Sequence, residues 1–257
     1  MIIVANWKMH KTVSETIDFI NNFSENFQNK DVFVEDYEII VCVPFTCIDA
    51  AIKQVKNRNI GNLFIGAQNC YYEKKGAFTG EISTHMLKDI GTKYVILGHS
   101  ERRRLFSETD EVINKKVLSC LKEDLGIILC VGEDSEQKRN NLTNKILSNQ
   151  LLTALKGVGR SDLDKIIVAY EPVWAIGAEK SASCLEISNV ARYIKKKISS
   201  FYSSDKNLET IIKVLYGGSV SSNNACKILN IKDLDGVLVG KSSLNCEDFL
   251  KIIYCAQ

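Results

Sequence analysis

The stretch Ile166–Ala182 reads I-I-V-A-Y-E-P-V-W-A-I-G-A-E-K-S-A. Its opening run, Ile166 to Tyr170, is apolar and β-branched with no polar alternation. That is the pattern of a strand buried on both faces, and such strands belong to parallel sheets covered by helices. Glu171 stands where the run stops, and Pro172 ends the strand by fixing its own φ. Val173, Trp174, Ala175 and Ile176 then carry apolar side chains into a loop closed by Gly177. A loop that shields such groups only part of the time reads as a lid, with a general base at the strand end behind it. A capped strand followed by an ordinary buried turn is the simpler reading of the same residues.

Outward from this strand the pattern recurs. Strand-like runs fall at Ile2–Ala5, Glu38–Val43, Leu63–Ala67, Tyr94–Leu97, Ile127–Val131, Lys213–Tyr216 and Val237–Val239. Helical spacing appears between them, over Thr12–Phe27, from Thr109-Asp110 onward, and over Ser135–Leu155, Cys184–Phe201, Ser222–Leu229 and Cys246–Ile253. Such alternation predicts right-handed βα units and a parallel sheet. An open, doubly wound sheet would carry a glycine-rich turn after its first strand, but that turn is Asn6-Trp7-Lys8. A closed barrel spanning residues 1–257 as one domain is therefore expected.

The totals narrow the function. The 257 residues carry 25% charged and 45% hydrophobic side chains, with a net charge of +2. No nucleic-acid or membrane partner is implied by that balance. Nine cysteines without a close pair, and three scattered histidines, predict reduced thiols, no metal cluster and a cytoplasmic protein. The chain enters a strand pattern at once, which leaves no room for a signal or transit peptide. The Lys195-Lys196-Lys197 run reads as a solvated helix face.

In a parallel barrel the residues just after each strand converge on one mouth. They are Asn6 and Lys8; His99, Ser100 and Glu101; Cys130 and Glu133; Glu171; Gly217, Gly218 and Ser219; and Gly240, Lys241, Ser242 and Ser243. The two glycine-bearing loops end adjacent strands and let backbone N–H groups, aided by helix starts, approach an anion such as phosphate. A carboxylate base needs a C–H α to a carbonyl, and Lys8 and Asn6 can donate to the enediolate that forms. His99 precedes Ser-Glu-Arg-Arg, which reads as a helix start. N–H groups aimed at the ring would lower its pKa and keep it neutral. With no metal ligands and no nicotinamide fingerprint, proton transfer within a small phosphorylated aldehyde or ketone fits, without a cofactor.

These residues resemble the triosephosphate isomerase family along the whole chain. The likeness rests on Asn6-Trp7-Lys8-Met9-His10, Ala67-Gln68-Asn69, Gly76-Ala77-Phe78-Thr79-Gly80-Glu81 and Gly98-His99-Ser100-Glu101-Arg102-Arg103. Cys130-Val131-Gly132-Glu133, Tyr170 through Gly177 and Tyr216-Gly217-Gly218-Ser219 complete it. The resemblance implies a single (βα)8 TIM barrel, eight parallel strands with outer helices. It implies interconversion of dihydroxyacetone phosphate and D-glyceraldehyde 3-phosphate in glycolysis and gluconeogenesis. By the same resemblance Glu171 is the base, His99 the neutral electrophile, and Lys8 and Asn6 the electrostatic clamp. Gly177, Ser219, Gly240 and Lys241 would hold the phosphate by their N–H groups. Glu101, Ser100 and Cys130 would lie behind them. The loop over residues 69–81, with Tyr71, Tyr72 and Phe78, implies a homodimer in which it meets the partner's first-strand loop near His10.

Three stretches depart from the family. Its lid usually reads I-G-T-G-K-T-A where this chain has Ile176-Gly177-Ala178-Glu179-Lys180-Ser181-Ala182. Its G-G-A-S is replaced by Gly240-Lys241-Ser242-Ser243; Glu179 and Lys241 read either as two solvated charges, the simpler reading, or as a latch facing across the phosphate. Lys195 stands where the family often has Arg, and its pairing with Asp235 would lack bidentate geometry. Two other functions fit parts of the pattern: an aldolase with Lys8 forming a Schiff base, and a non-catalytic phosphate-binding barrel.

Overall fold

Eight parallel strands pair in chain order, and the first also pairs with the last, closing the barrel. The structure, a computed structural model, describes residues 1–27, 37–177, 181–202 and 208–256. The strands are β1 (Ile2–Asn6), β2 (Glu38–Val43), β3 (Leu63–Ala67), β4 (Tyr94–Leu97), β5 (Gly126–Val131), β6 (Ile166–Tyr170), β7 (Lys213–Tyr216) and β8 (Gly236–Val239). The helices used below are α1 (Val13–Phe27), α2 (Ile48–Asn57), α3 (Thr84–Asp89), α4 (Ser100–Leu105), α5 (Asp110–Lys122), α6 (Ser135–Arg139) and α7 (Thr143–Ala154). After them come α8 (Cys184–Phe201), α9 (Leu208–Ile211), α10 (Ala225–Leu229) and α11 (Cys246–Tyr254).

Alternation along each strand separates two buried layers. Ile2, Val4, Ile40, Cys42, Ile96, Ile128, Cys130, Ile167, Ala169, Leu215 and Leu238 form a cluster of strand residues alone, which is the barrel interior. Their neighbours Ile3, Ala5, Ile39, Val41, Ile127, Leu129, Ile166 and Val168 join the helices in the outer core. Both faces being buried explains the unbroken apolar runs. On α1, Phe19, Phe23 and Phe27 recur every fourth residue and are buried, with the Phe23 and Phe27 rings 4.9 Å apart. Phe19 meets Trp7 edge-on at 4.8 Å, and Trp7, fully buried, donates Nε1 to the Ser243 carbonyl at 3.2 Å. Losing such a side chain costs about 3–5 kcal/mol. The loop after β1 is thereby fastened to the loop after β8.

Several expectations are corrected. The helix expected over Ser135–Leu155 is broken into α6 and α7. Asn141 adopts φ 56°, the Leu142 N–H donates to the Gln137 carbonyl at 2.9 Å, and the Asn141 N–H donates to that of Lys138 at 3.0 Å. That is a Schellman cap with asparagine in the left-handed position usually given to glycine. The last expected helix but one starts at Ala225, not Ser222. Cys226 and Cys255 form a disulfide, so the thiols are not all reduced. Packing of α11 beside the barrel brings these distant cysteines together. The other seven are free, and Cys42, Cys47, Cys70, Cys120 and Cys130 are buried. Lys195 is not a solvated residue: it is 16% exposed and reaches Asp235 with Nζ to Oδ2 at 2.8 Å, a single-point pair as expected of a lysine. Among the described residues no helix is long and apolar enough to cross a membrane.

Candidate active site

The strand ends deliver their polar residues to a single cavity of about 350 Å³ at the C-terminal mouth. Asn6, Lys8, His99, Glu171 and Gly177 line it, and Ser219, Gly240 and Lys241 line the same cavity. Every expected substrate-contacting residue is thus brought together. Ser100, Glu101 and Cys130 lie behind that lining and touch it.

The first loop is strained. Lys8 has φ 52°, a left-handed conformation costing about 1–3 kcal/mol for a residue with a Cβ. Local bonds hold it there. Its N–H donates to Asn6 Oδ1 at 3.0 Å, and Gln68 Nε2 donates to its carbonyl at 2.8 Å and to that of Cys42 at 3.0 Å. The ammonium then reaches Glu101 Oε1 at 2.5 Å. Backbone strain and ion pair together aim the cation into the cavity.

Glu171, 3% exposed, follows β6 and keeps its backbone in register through N–H donation to the Val131 carbonyl at 2.8 Å. A Cβ on Gly132 would lie 1.8 Å from the Glu171 carbonyl oxygen, and one on Gly217 would lie 2.9 Å from its Cγ. Those two glycines clear the space that Glu171 occupies. Glu171 Oε2 accepts the Ser100 N–H at 3.1 Å, and Oε1 lies 3.1 Å from His99 Nε2. His99 caps α4: its Nδ1 accepts the Glu101 N–H at 3.2 Å. With Nδ1 an acceptor, the ring proton sits on Nε2, facing the carboxylate.

The expected depression of the His99 pKa is not the net outcome. Burial pulls it down, but the Glu171 charge and hydrogen bond push it up, Lys8 opposes and Glu101 adds, leaving it raised. For Glu171, burial pushes upward and the contact with His99, the Ser100 N–H and Lys8 outweigh it, leaving it lowered. Each group is shifted largely by the other. Cys130 is buried among barrel-interior residues; burial first, then the Glu171 charge, pushes its thiol well up. It packs as a neutral thiol.

The described residues on either side of 178–180 are anchored. Trp174 Nε1 and Tyr170 Oη donate to Glu133 Oε1 at 2.9 and 3.1 Å, and Ser219 Oγ donates to the Ala175 carbonyl at 2.9 Å. At the far end the Ala182 N–H donates to Tyr216 Oη at 3.1 Å. Glu179 lies outside the described residues, and with it the latch reading for Lys241. In the glycine loops no α-helix begins directly: Lys241–Ser243 is a single 3-10 turn and α10 starts at Ala225. The anion-binding capacity is that of backbone N–H groups. Those of Gly177, Gly218 and Lys241 donate to no protein acceptor among the described residues. Lys241 is absent from the positive-φ residues, so its N–H keeps an ordinary backbone orientation.

Sequence reading passed over two supports. Gln68 comes one residue after β3, so the strand-end rule applied there would have found it. Asn224 holds the loop after β7, donating Nδ2 to the Ser219 carbonyl at 3.0 Å and accepting the Ser221 N–H at 2.8 Å.

A parallel eight-stranded barrel with a buried carboxylate, an imidazole and an ammonium at its C-terminal mouth is the architecture of a barrel enzyme working by acid–base chemistry. The profile of the triosephosphate isomerase family matches residues 1–256. The chain is 46% identical over 253 residues to triosephosphate isomerase of Alkaliphilus oremlandii, covering 98% of each chain. It is 44% identical over 253 residues to that of Aquifex aeolicus, covering 98% of each. It is 43% identical over 254 residues to that of Finegoldia magna, covering 98% of this chain and 97% of that one. The chain belongs to the triosephosphate isomerase family.

Proposed function

We propose that this chain interconverts dihydroxyacetone phosphate and D-glyceraldehyde 3-phosphate through an enediolate, as a cofactor-independent isomerase. The observation that carries the reading is the meeting of Glu171, His99 and Lys8 in one cavity with the Gly177, Gly218 and Lys241 N–H groups, which have no acceptor among the described residues. The N–H groups of Gly177, Ser219, Gly240 and Lys241 seat the phosphate. The Glu171 carboxylate leaves Ser100 and His99 to take the proton α to the carbonyl. Lys8 and Asn6 donate to the oxygen that gains charge. His99 Nε2–H donates to the neighbouring oxygen and carries the proton between the two. Once the carboxylate leaves the ring, its upward push on the His99 pKa goes with it, and burial and Lys8 favour the neutral imidazole. Carboxylate and imidazole thus return to their starting protonation each turnover.

Solvent tritium uptake into dihydroxyacetone phosphate tests the reading. Wild type exchanges, and Glu171→Gln slows exchange by about 10²–10⁴-fold. Equal exchange in both would remove Glu171 as the base. A Schiff-base aldolase is disfavoured by the 2.5 Å contact of the Lys8 ammonium with Glu101, a geometry for holding charge rather than for attack.

The protein acts as a homodimer through the 69–81 loop and the first-strand loop. Support comes from apolar side chains left exposed after four consecutive strands: Met9 after β1, Phe45 after β2, Phe78 after β3, and Leu105 and Phe106 after β4. Strand order puts those loops side by side on one flank, where an uncovered apolar patch marks an interface. The loop itself is preorganised, with Tyr71 against Tyr72 at 4.4 Å and against Phe78 at 4.7 Å. Buried Lys116 ties its base to α5 by pairing with Glu108 and donating to Asn69 Oδ1 at 2.8 Å. Light scattering that gives a single-chain mass at micromolar concentration would reject the dimer. The reaction belongs to glycolysis and gluconeogenesis, which places the protein in the cytoplasm.

A further inference from the structure

We propose that the Lys241 ammonium is a specificity-determining group, adding side-chain charge to the backbone N–H groups so that the cavity selects a phosphate monoester in its dianionic form. The assignment deepens the isomerase reading and rests on it.

Lys241 opens the turn after β8 and lines the cavity together with Lys8, His99 and Glu171, the remaining ionisable side chains in that lining. The four differ in how far their charge is already committed. Lys8 is paired with Glu101 at 2.5 Å. Glu171 is an anion whose two oxygens are occupied by His99 and Ser100. Lys241 has neither an ion pair nor a side-chain hydrogen bond among the described residues, and its side chain is exposed. Lys8 with Glu101 sums to no charge, so the Glu171 carboxylate, though held by His99 and the Ser100 N–H, adds a negative charge that an incoming dianion also meets. Lys241 is the described cation left to offset it.

Position favours this role as well. The strand order places the loop after β8 between those after β1 and β7, so Lys241 is on the side of the mouth where Ser219 and the unpaired amides lie, opposite the loop after β4 that carries His99. A flexible lysine at a rim can follow the anion from bulk water inward, within a screening distance of about 10 Å at 0.1 M salt. A phosphate monoester loses its second proton near pH 6, so a cation here favours the dianion over the monoanion and over uncharged analogues.

The test is calorimetric titration of inorganic phosphate into wild type, Lys241→Met and Lys241→Arg at low and at high sodium chloride. Lys241→Met should weaken phosphate binding about ten-fold at low salt, a gap that narrows at high salt, as one lost charge contact predicts. Lys241→Arg should bind within about two-fold of wild type. In steady-state assays Lys241→Met should raise KM for dihydroxyacetone phosphate while kcat moves little. Equal phosphate binding by wild type and Lys241→Met would overturn the proposal. So would a loss in Lys241→Met that is the same at both salts, which would point to a displaced amide rather than a missing charge. Phosphate titration needs no turnover, so a wild type that shows the salt-dependent gap and does not isomerise would support the Lys241 assignment and count against the isomerase reading alone.

Discussion

Glu171 Oε1 lies 3.1 Å from His99 Nε2, and the two side chains are 3% and 7% exposed. Carboxylate and imidazole therefore set each other's protonation, with water largely kept away. The Glu171 pKa is lowered because His99, Ser100 and Lys8 overcome burial; the His99 pKa is raised because Glu171 overcomes burial.

His99→Ala should accordingly raise the Glu171 pKa, since burial would lose its main opponent. The acid limb of the kcat/KM profile, which reports the free enzyme, should move to higher pH. The signs for stability follow from linkage. Glu171, lowered on folding, stabilises above its unfolded pKa of about 4.3, and that contribution is lost as pH falls through the folded value. His99, raised on folding, stabilises below its unfolded pKa of about 6.5, and that contribution is lost as pH rises through the folded value. The gap in urea midpoint between wild type and His99→Ala should be widest between those two values. A gap that is flat from pH 4 to 9 would mean the pair is not coupled.

Gly217→Ala would put a Cβ 2.9 Å from Glu171 Cγ. The carboxylate has to shift, and a displacement near 1 Å costs about 10²-fold in rate. We expect kcat to fall on that scale while the far-ultraviolet circular dichroism stays that of wild type. Unchanged kcat would show that the cavity has room to spare beside the base.

Asn224→Asp keeps an acceptor for the Ser221 N–H and loses the donor to the Ser219 carbonyl. One such hydrogen bond is worth about 1 kcal/mol, so KM should rise about five-fold with kcat little changed. Asn224→Ala removes both bonds and should raise KM further. A fall in kcat with KM constant would place Asn224 elsewhere in the cycle.

Ser183→Ala removes a capping box at the start of α8, where the Glu186 N–H donates to Ser183 Oγ at 3.3 Å and Ser183 N–H to Glu186 Oε2 at 3.0 Å. The expected loss is about 1 kcal/mol in chemical denaturation at neutral pH. The Ser183 N–H and hydroxyl hold the Glu186 pKa below its ordinary value, so that part of the stability is present above the unfolded pKa and lost as pH falls through the folded one. The difference between variant and wild type should shrink in acid.

Strands were the most legible part of the fold. A parallel strand buried on both faces is a local, composition-level signal, and β1, β5 and β8 differ from the sequence reading by a single residue at one end. Mouth residues followed from the strand ends by geometry alone, which is why Asn6, Lys8, His99 and Glu171 could be named. The break between α6 and α7 was hidden because Asn140-Asn141 looks like ordinary polar helix surface until the second asparagine turns left-handed. The Cys226–Cys255 contact spans 29 residues and depends on where α11 docks, which no local pattern encodes. The direction of the His99 shift was missed for a related reason: the Glu101 N–H is a neighbour in sequence, whereas the Glu171 carboxylate reaches the ring only through the barrel.

Pairing of β1 with β8 makes neighbours of the loops that follow the first and the eighth strand, and Trp7 stitches them with its bond to Ser243. The loop carrying Asn6 and Lys8 and the loop carrying Lys241 are therefore tethered by an indole that spans the closing seam of the barrel, so a displacement of either one is passed to the other.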